Sequence, residues 1–368
     1  MKGNGFLDDF LRAQKNGYLA QAATGSFNPN YNASIPGSRP LTIFPRLVEG
    51  GRLTNSTILT YLQQGQVGEL ANNYQTNLLN GPINFHSNPY ALGCNFVTNY
   101  SNSSYNSLQT EVTRRMPRRG LIFQANYTYS KVLSDSLGDT QTNFEAFLDK
   151  DNPKIERARA PFDLTHMIKG NAVYQLPMGE GHLVSFRPLN KLLSGWSTSG
   201  ILTWQSGSPF SVLSGRGTLN RSARSTYNTA NTTLNKQQLD ELFQFRMTGN
   251  GTYFVNASAI GSDNRAVAAD GAAPFNGQVF FQPAAGTLGA LQRRMFSGPW
   301  TFNLDFTILK NTKIRERQSV DIRMDASNIF NHPTFYLGDQ TITSTTFGRI
   351  TSTFFGRRLI QFGLYYRF

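Results

Sequence analysis

From Ser104 to Phe368 the chain alternates apolar and polar residues at every second position, in segments of about ten residues. The strongest case is the hairpin Trp300 to Phe330. Trp300, Phe302, Leu304, Phe306 and Ile308 alternate with Thr301, Asn303, Asp305 and Thr307, and then Val320, Ile322, Met324 and Ala326 alternate with Asp321, Arg323, Asp325 and Ser327. The last segment sets Ile360, Phe362, Leu364, Tyr366 and Phe368 against Gln361, Gly363, Tyr365 and Arg367, and Leu121 to Ser130 repeats the pattern. Weaker versions run over Ser104 to Arg115, His166 to Leu176 and Gly195 to Gln205. These make about seven strands, each near the length that crosses a bilayer when tilted. The fold expected is all-β, an antiparallel transmembrane β-barrel.

Connection lengths alternate as well. Pro117 to Gly120, Pro177 to Lys191 and Asn311 to Arg317 are short or moderate, whereas 132–164, 206–298 and 331–357 are long. Short turns on one side and long loops on the other are the habit of an outer-membrane barrel, whose variable loops face outward. Hydrocarbon offers no partner to a strand edge, so strands in a membrane must pair all round, and seven do not satisfy an even count with both ends in the periplasm. If the last strand descends to Phe368, the Ser104 strand descends too. Residues 1–103 then read as an extracellular, irregular segment and 104–368 as the C-terminal strands of a larger barrel, a truncated or split chain. A self-contained eight-stranded pore or adhesin needs one more alternation near Asn73 to Phe85, where Gly81 and Pro82 interrupt the run. A soluble β-sandwich requires the oily faces to meet inside.

Two helices stand out from the irregular parts. Gly5 to Lys15 places Phe6, Leu7, Phe10 and Leu11 on one face, and Lys236 to Phe245 forms a short helix within the 206–298 loop. That loop is too long to be structureless in a compact domain, so it reads as a functional outer loop or as partly disordered.

Composition narrows the function. Charged residues are 15% of the chain against roughly 25% in ordinary soluble domains, while aromatics reach 12%. The net charge of +13 invites a nucleic-acid reading, but the basic residues are scattered at strand ends and no zinc-finger, basic-helix or RNA-recognition signature accompanies them. The lone Cys94 excludes an internal disulfide, and His86, His166, His182 and His332 show no metal-ligand spacing. No phosphate loop, paired carboxylate or nucleophile triad has sequence context, so neither enzyme activity nor a cofactor is expected. No run of 18 apolar residues marks a spanning helix, and the opening MKGNGFLDDFLRAQ lacks the apolar stretch of a signal peptide.

Four polar residues are candidates to line a lumen: Asp305, Asp321, Arg323 and Asp325. With the hairpin pivoting on Ile314, Asp305 falls opposite Arg323, within salt-bridge reach, and the pair serves register. Phe362, Leu364, Tyr366 and the terminal Phe368 read as the strand signal for the outer-membrane assembly machinery. Trp196, Trp204, Trp300, Tyr127, Tyr129 and Tyr366 cluster toward strand ends as interfacial girdles do. Scattered Arg and Lys residues suit lipopolysaccharide phosphates or simply solvated turns.

Several segments resemble the C-terminal barrel of Oar-like TonB-dependent receptors. They are Tyr105-Asn106-Ser107-Leu108-Gln109 with Arg114-Arg115, Phe123 to Lys131 (FQANYTYSK), Gly195 to Ile201 (GWSTSGI) with Gln205 to Phe210 (QSGSPF), Asn328 to Phe335 (NIFNHPTF), Phe347 to Ile350 (FGRI) and Gln361 to Phe368 (QFGLYYRF). The resemblance implies nutrient uptake of a siderophore, oligosaccharide or peptide, with loops that capture the ligand. Related receptors also carry a signal peptide, a plug domain and about 22 strands, and reach TonB through the plug, all outside this sequence. The implied partners are outer-membrane lipid and lipopolysaccharide, the barrel assembly machinery and an unidentified transported ligand, with no nucleic acid.

Overall fold

The computed structural model describes residues 3–86, 88, 90–91, 99, 101–136, 147–149, 151–179, 184–219, 228–249 and 251–368, and of Phe355 only the backbone. Cys94 and His182 lie outside the described residues.

The alternating segments form seven long strands: β1 (Ser103–Met116), β2 (Leu121–Ser134), β3 (His166–Gln175), β4 (Trp196–Gln205), β5 (Thr301–Arg315), β6 (Gln318–Ser327) and β7 (Leu359–Arg367). Every neighbour in the sheet is also the neighbour in sequence, and every pairing is antiparallel. A two-residue strand, Ala158–Arg159, adds to the end of β2. The sheet is open, because β1 and β7 are not joined to each other. Residues 117–120, 176–195 and 316–317 connect strands at one end, and 135–165, 206–300 and 328–358 at the other. Gly120 makes the first tight turn at φ +64, a left-handed conformation that glycine adopts without a Cβ penalty.

Register keeps one chemistry on each face. Ser107, Gln109, Glu111 and Thr113 lie opposite Ser130, Thr128, Asn126 and Gln124. That polar row continues through Lys169 and Asn171, then Ser199 and Thr203, then Asn303, Asp305 and Thr307. The reverse face carries Phe123, Ile168, Leu202, Phe302, Leu304, Ile322, Phe362 and Leu364. Among the described residues no second layer covers it: Phe362 is 75% exposed, Leu364 73% and Leu108 60%. A sandwich would bury these side chains, and each would contribute about 1.5–3 kcal/mol there.

The hydrophobic cores lie elsewhere, in the segments outside the long strands. One is built by α1 (Phe6–Thr24), α2 (Ser56–Gln63), α3 (Val67–Thr76) and the turns between them. Phe6, Phe10, Leu62, Leu70 and Tyr74 are fully buried, and Phe6 meets Phe85 edge-on at 4.7 Å between centroids. α1 runs well past Lys15, and its buried stripe is Phe6, Phe10, Ala13, Gly17 and Ala20. Leu11, expected on that stripe, is 41% exposed, because the helix turns the 6, 10, 13, 17 row inward instead. Gly17 is needed where it stands: a Cβ there would lie 2.2 Å from the Phe27 ring. The stretch Asn73 to Phe85 is helix through Thr76 and turn beyond it, so it supplies no strand.

The second core gathers Phe210, Val212, Phe254, Phe280, Phe296, Ile342 and Phe347 from the 206–300 and 328–358 connections. α4 (Lys236–Leu242) packs Leu239 and Leu242 into it, started by a capping box between Asn235 and Gln238. The two lobes touch: Ala285 enters the first core, and the Gly68 amide donates to the Gly217 carbonyl at 3.2 Å. The long connections therefore fold into a head with an interior of its own.

Candidate functional site

The polar face of β5 to β7 holds the four residues singled out in the sequence, and the register places them differently from the expectation. Leu309, not Asp305, lies opposite Arg323. β5 continues to Arg315, the hairpin turns at Glu316–Arg317, and the register shifts between Lys313 and Arg315. The pivot sits two residues beyond Ile314, so the Asp305–Arg323 salt bridge does not form.

Each acid finds another partner. Asp305 accepts from Asn303 Nδ2 at 3.0 Å, Ser327 Oγ at 2.8 Å and the Asn328 amide at 2.9 Å. Asp325 accepts from Thr307 Oγ1 at 2.6 Å and pairs with Arg323 Nε at 2.7 Å. Asp321 is buried, accepts from Asn311 and pairs with Arg367 of the last strand at 2.7 Å. The four residues share a face but form a ladder of local contacts. Such contacts fix register, and the exposed Arg323–Asp325 pair contributes little energy.

At the long-loop end of these strands stands a clamp that the sequence reading did not assign. Asn328 and Asn331 adopt left-handed φ of 50° and 51°, which asparagine tolerates better than most residues. Asn328 Nδ2 donates to the His332 carbonyl at 3.0 Å, and the Asn331 side chain accepts from the Arg358 amide at 3.0 Å just before β7. The Ile329 amide donates to Leu304 of β5 at 2.9 Å. One turn thus ties three strand ends, and its only signal in the sequence is a pair of asparagines bracketing two apolar residues.

Buried charge organises the head. Arg293 and Glu156, 5% and 3% exposed, pair at 2.8 Å and join the 135–165 connection to 206–300. Arg159 pairs with Asp163 at 2.6 Å, and Asp163 also accepts from the Val132 amide at 2.7 Å. Arg216 pairs with Asp270 at 2.7 Å, reaches the Gln64 carbonyl at 3.4 Å, and so bridges the two lobes. Burial, with Asp270 nearby, raises the pKa of the Tyr18 hydroxyl. Burial also pushes Tyr74 up, and its hydroxyl donates to the Gly51 carbonyl at 2.6 Å. Partial burial alone would raise Asp339, but hydrogen bonds from Ser344, Thr341 and Thr346 outweigh it and hold the carboxyl below its ordinary value. A cleft of about 920 Å³ opens in the head, lined by Asp149, Asp151, Lys154, Arg157, Asn228 and Arg293 among others. Its mixed charge suits a hydrophilic ligand.

Among the described residues no group of three His, Cys, Asp or Glu is placed to hold a metal, and no helix is long and apolar enough to cross a membrane. The aromatic residues divide between the strand ends. Trp196 and Tyr366 lie at the short-turn end, while Tyr129 packs on His166 and Trp300 stacks on His332 at 5.0 Å at the long-loop end. Trp196 and Trp204 open and nearly close β4, which separates them by ~26 Å along the strand. That is close to the height of the apolar band of an outer-membrane barrel.

A family model described as an outer membrane beta barrel domain matches residues 16–361. The chain belongs to that family, which places it in the outer membrane; such domains are typical of transporters and porins. Neither the curated proteins nor the solved structures include a match to it.

Proposed function

We propose that this chain is the C-terminal barrel part of an outer-membrane TonB-dependent receptor of the Oar-like kind, importing a siderophore, oligosaccharide or peptide. The single observation that carries the reading is a seven-strand meander open at both edges, with a folded head on its long-loop side. Backbone groups along an unpaired edge have no partner in hydrocarbon, so the wall needs more strands than these. A receptor of many strands supplies them, and the motifs quoted above resemble that class.

In this reading the face bearing Asp305, Asp321, Arg323 and Asp325 borders the lumen, and the long connections capture ligand outside the cell. Phe362, Leu364, Tyr366 and Phe368 face lipid and carry the assembly signal on β7. Energy would enter through a plug that contacts TonB, so these strands alone do not perform energised uptake. The test is the particle extracted in detergent from cells making only this chain, imaged by electron microscopy. An incomplete or mixed wall is expected. A closed barrel built from these strands alone would contradict the proposal.

A further inference from the structure

The basic residues of the wall are concentrated at its short-turn end. Residues 114–119 hold four arginines and no acid, and 310–317 hold Lys310, Lys313, Arg315 and Arg317 against Glu316. The turns that carry them are neighbours: the Gln175 amide donates to the Gly120 carbonyl at 2.8 Å, and the Asn311 amide to the Gly195 carbonyl at 2.8 Å. Arg114, Arg118, Arg119, Arg187, Lys191, Arg315 and Arg317 are exposed, and among the described residues no salt bridge or side-chain hydrogen bond engages them. At the other end, by contrast, Arg159, Arg216 and Arg293 are spent on internal pairs.

The middle turn adds an apolar partner to this charge. After Gln175 the chain leaves the sheet and makes a helical segment, Arg187–Leu193, on the oily side of the wall. Its position is fixed by two residues of the oily face. Trp196 Nε1 donates to the Leu192 carbonyl at 2.8 Å, and Lys310 Nζ donates to the Lys191 carbonyl at 3.1 Å while lying 5.8 Å from the centre of the Trp196 ring. Phe186, Leu189 and Leu192 project outward, 59%, 45% and 65% exposed, interleaved with Arg187 and Lys191. Apolar side chains continuous with a lipid-facing wall, set among unpaired cations, match an acyl chain below an anionic headgroup.

We infer that the short-turn rim around Arg118, Arg119, Arg187 and Lys191 binds an anionic phospholipid of the leaflet it borders. This rests on the barrel reading above, which puts the short turns on the periplasmic side. Phosphate oxygens take the guanidinium and ammonium groups, and the acyl chains lie along Phe186, Leu189 and Leu192. An acidic periplasmic polymer would use the cations but leave those three side chains in water.

The full chain in neutral detergent, titrated with phosphatidylglycerol or phosphatidylcholine and read by native mass spectrometry, tests the inference. Phosphatidylglycerol is expected to bind about tenfold more tightly, equivalent to about 1.4 kcal/mol. The variant with Arg118, Arg119, Arg187 and Lys191 all changed to Ser is expected to lose that preference; these side chains hold nothing in the fold. Changing Lys15 and Arg46 of the head to Ser is expected to leave it. Equal binding of the two lipids, preference retained in the rim variant, or an equal loss in the head variant would overturn the site. So would glycerol phosphate or a glutamate-rich peptide binding as well as the lipid. A preference absent from a chain that still inserts into vesicles sinks the lipid site alone, whereas failure to insert at all sinks the barrel reading with it.

Discussion

The wall and the head are built from the same alphabet under opposite rules. In the head, Phe6, Phe10, Tyr74, Phe280 and Phe347 are buried as in any soluble protein, and charged groups such as Arg293 and Glu156 are buried only in pairs. In the wall, Phe362 and Leu364 stand exposed, and the polar face satisfies itself through short hydrogen bonds along and between strands. The difference teaches where the solvent is. A chain that leaves large apolar side chains uncovered on one face, while burying others a few residues away, is designed for two media.

Four measurements break or sharpen that contrast. The largest effect is expected from Glu156→Ala, which removes the carboxylate paired with the buried Arg293 guanidinium; about 3–5 kcal/mol of head stability should be lost, seen as protease cleavage of the head at lower denaturant. Asp9→Asn comes next. Asp9 is fully buried and accepts from the amides of Thr42, Ile43 and Phe44 at 2.8, 2.7 and 3.0 Å, so roughly 2–3 kcal/mol should go as one oxygen becomes a donor. Thermal melting of the N-terminal lobe measures it.

A smaller effect should follow acid. The Asp339 carboxyl is held below its ordinary value, so its contribution is complete above the unfolded pKa of about 3.9 and is lost as pH falls through the lower folded value. Asp339→Asn should flatten that part of the acid unfolding curve of the head, measured by fluorescence. The smallest belongs to the wall: Arg323→Ala should leave stability in detergent unchanged, because its pair with Asp325 is exposed. A large loss there would mean that the polar face is far drier than its exposure indicates.

Legibility followed the same division. The seven strands stand where period-2 alternation predicts them, since a strand exposed to lipid on one face and polar on the other must alternate. The head was not legible as a core, because Phe210, Phe254, Phe280, Phe296 and Phe347 come from irregular segments far apart in sequence and share no period. Helix α1 was visible at its start, yet its continuation through Asn16 and Gly17 depends on tertiary partners: the Asn16 side chain holds the Arg39 backbone, and Gly17 admits Phe27. Asp305, Asp321, Arg323 and Asp325 share one face of the sheet, since parity alone decides that. Their cross-strand partners differ from the expectation because the hairpin turns at Glu316–Arg317 and not about Ile314, and a pivot two residues later moves every cross-strand neighbour by four positions.

The free outer margins of β1 and β7 bear on the chain's life before it reaches lipid. β1 alone offers a ribbon of ~45 Å whose amides and carbonyls invite any extended peptide, its own kind included. In an aqueous compartment such a margin is a template for edge-to-edge aggregation, a hazard that pairing within a closed wall removes.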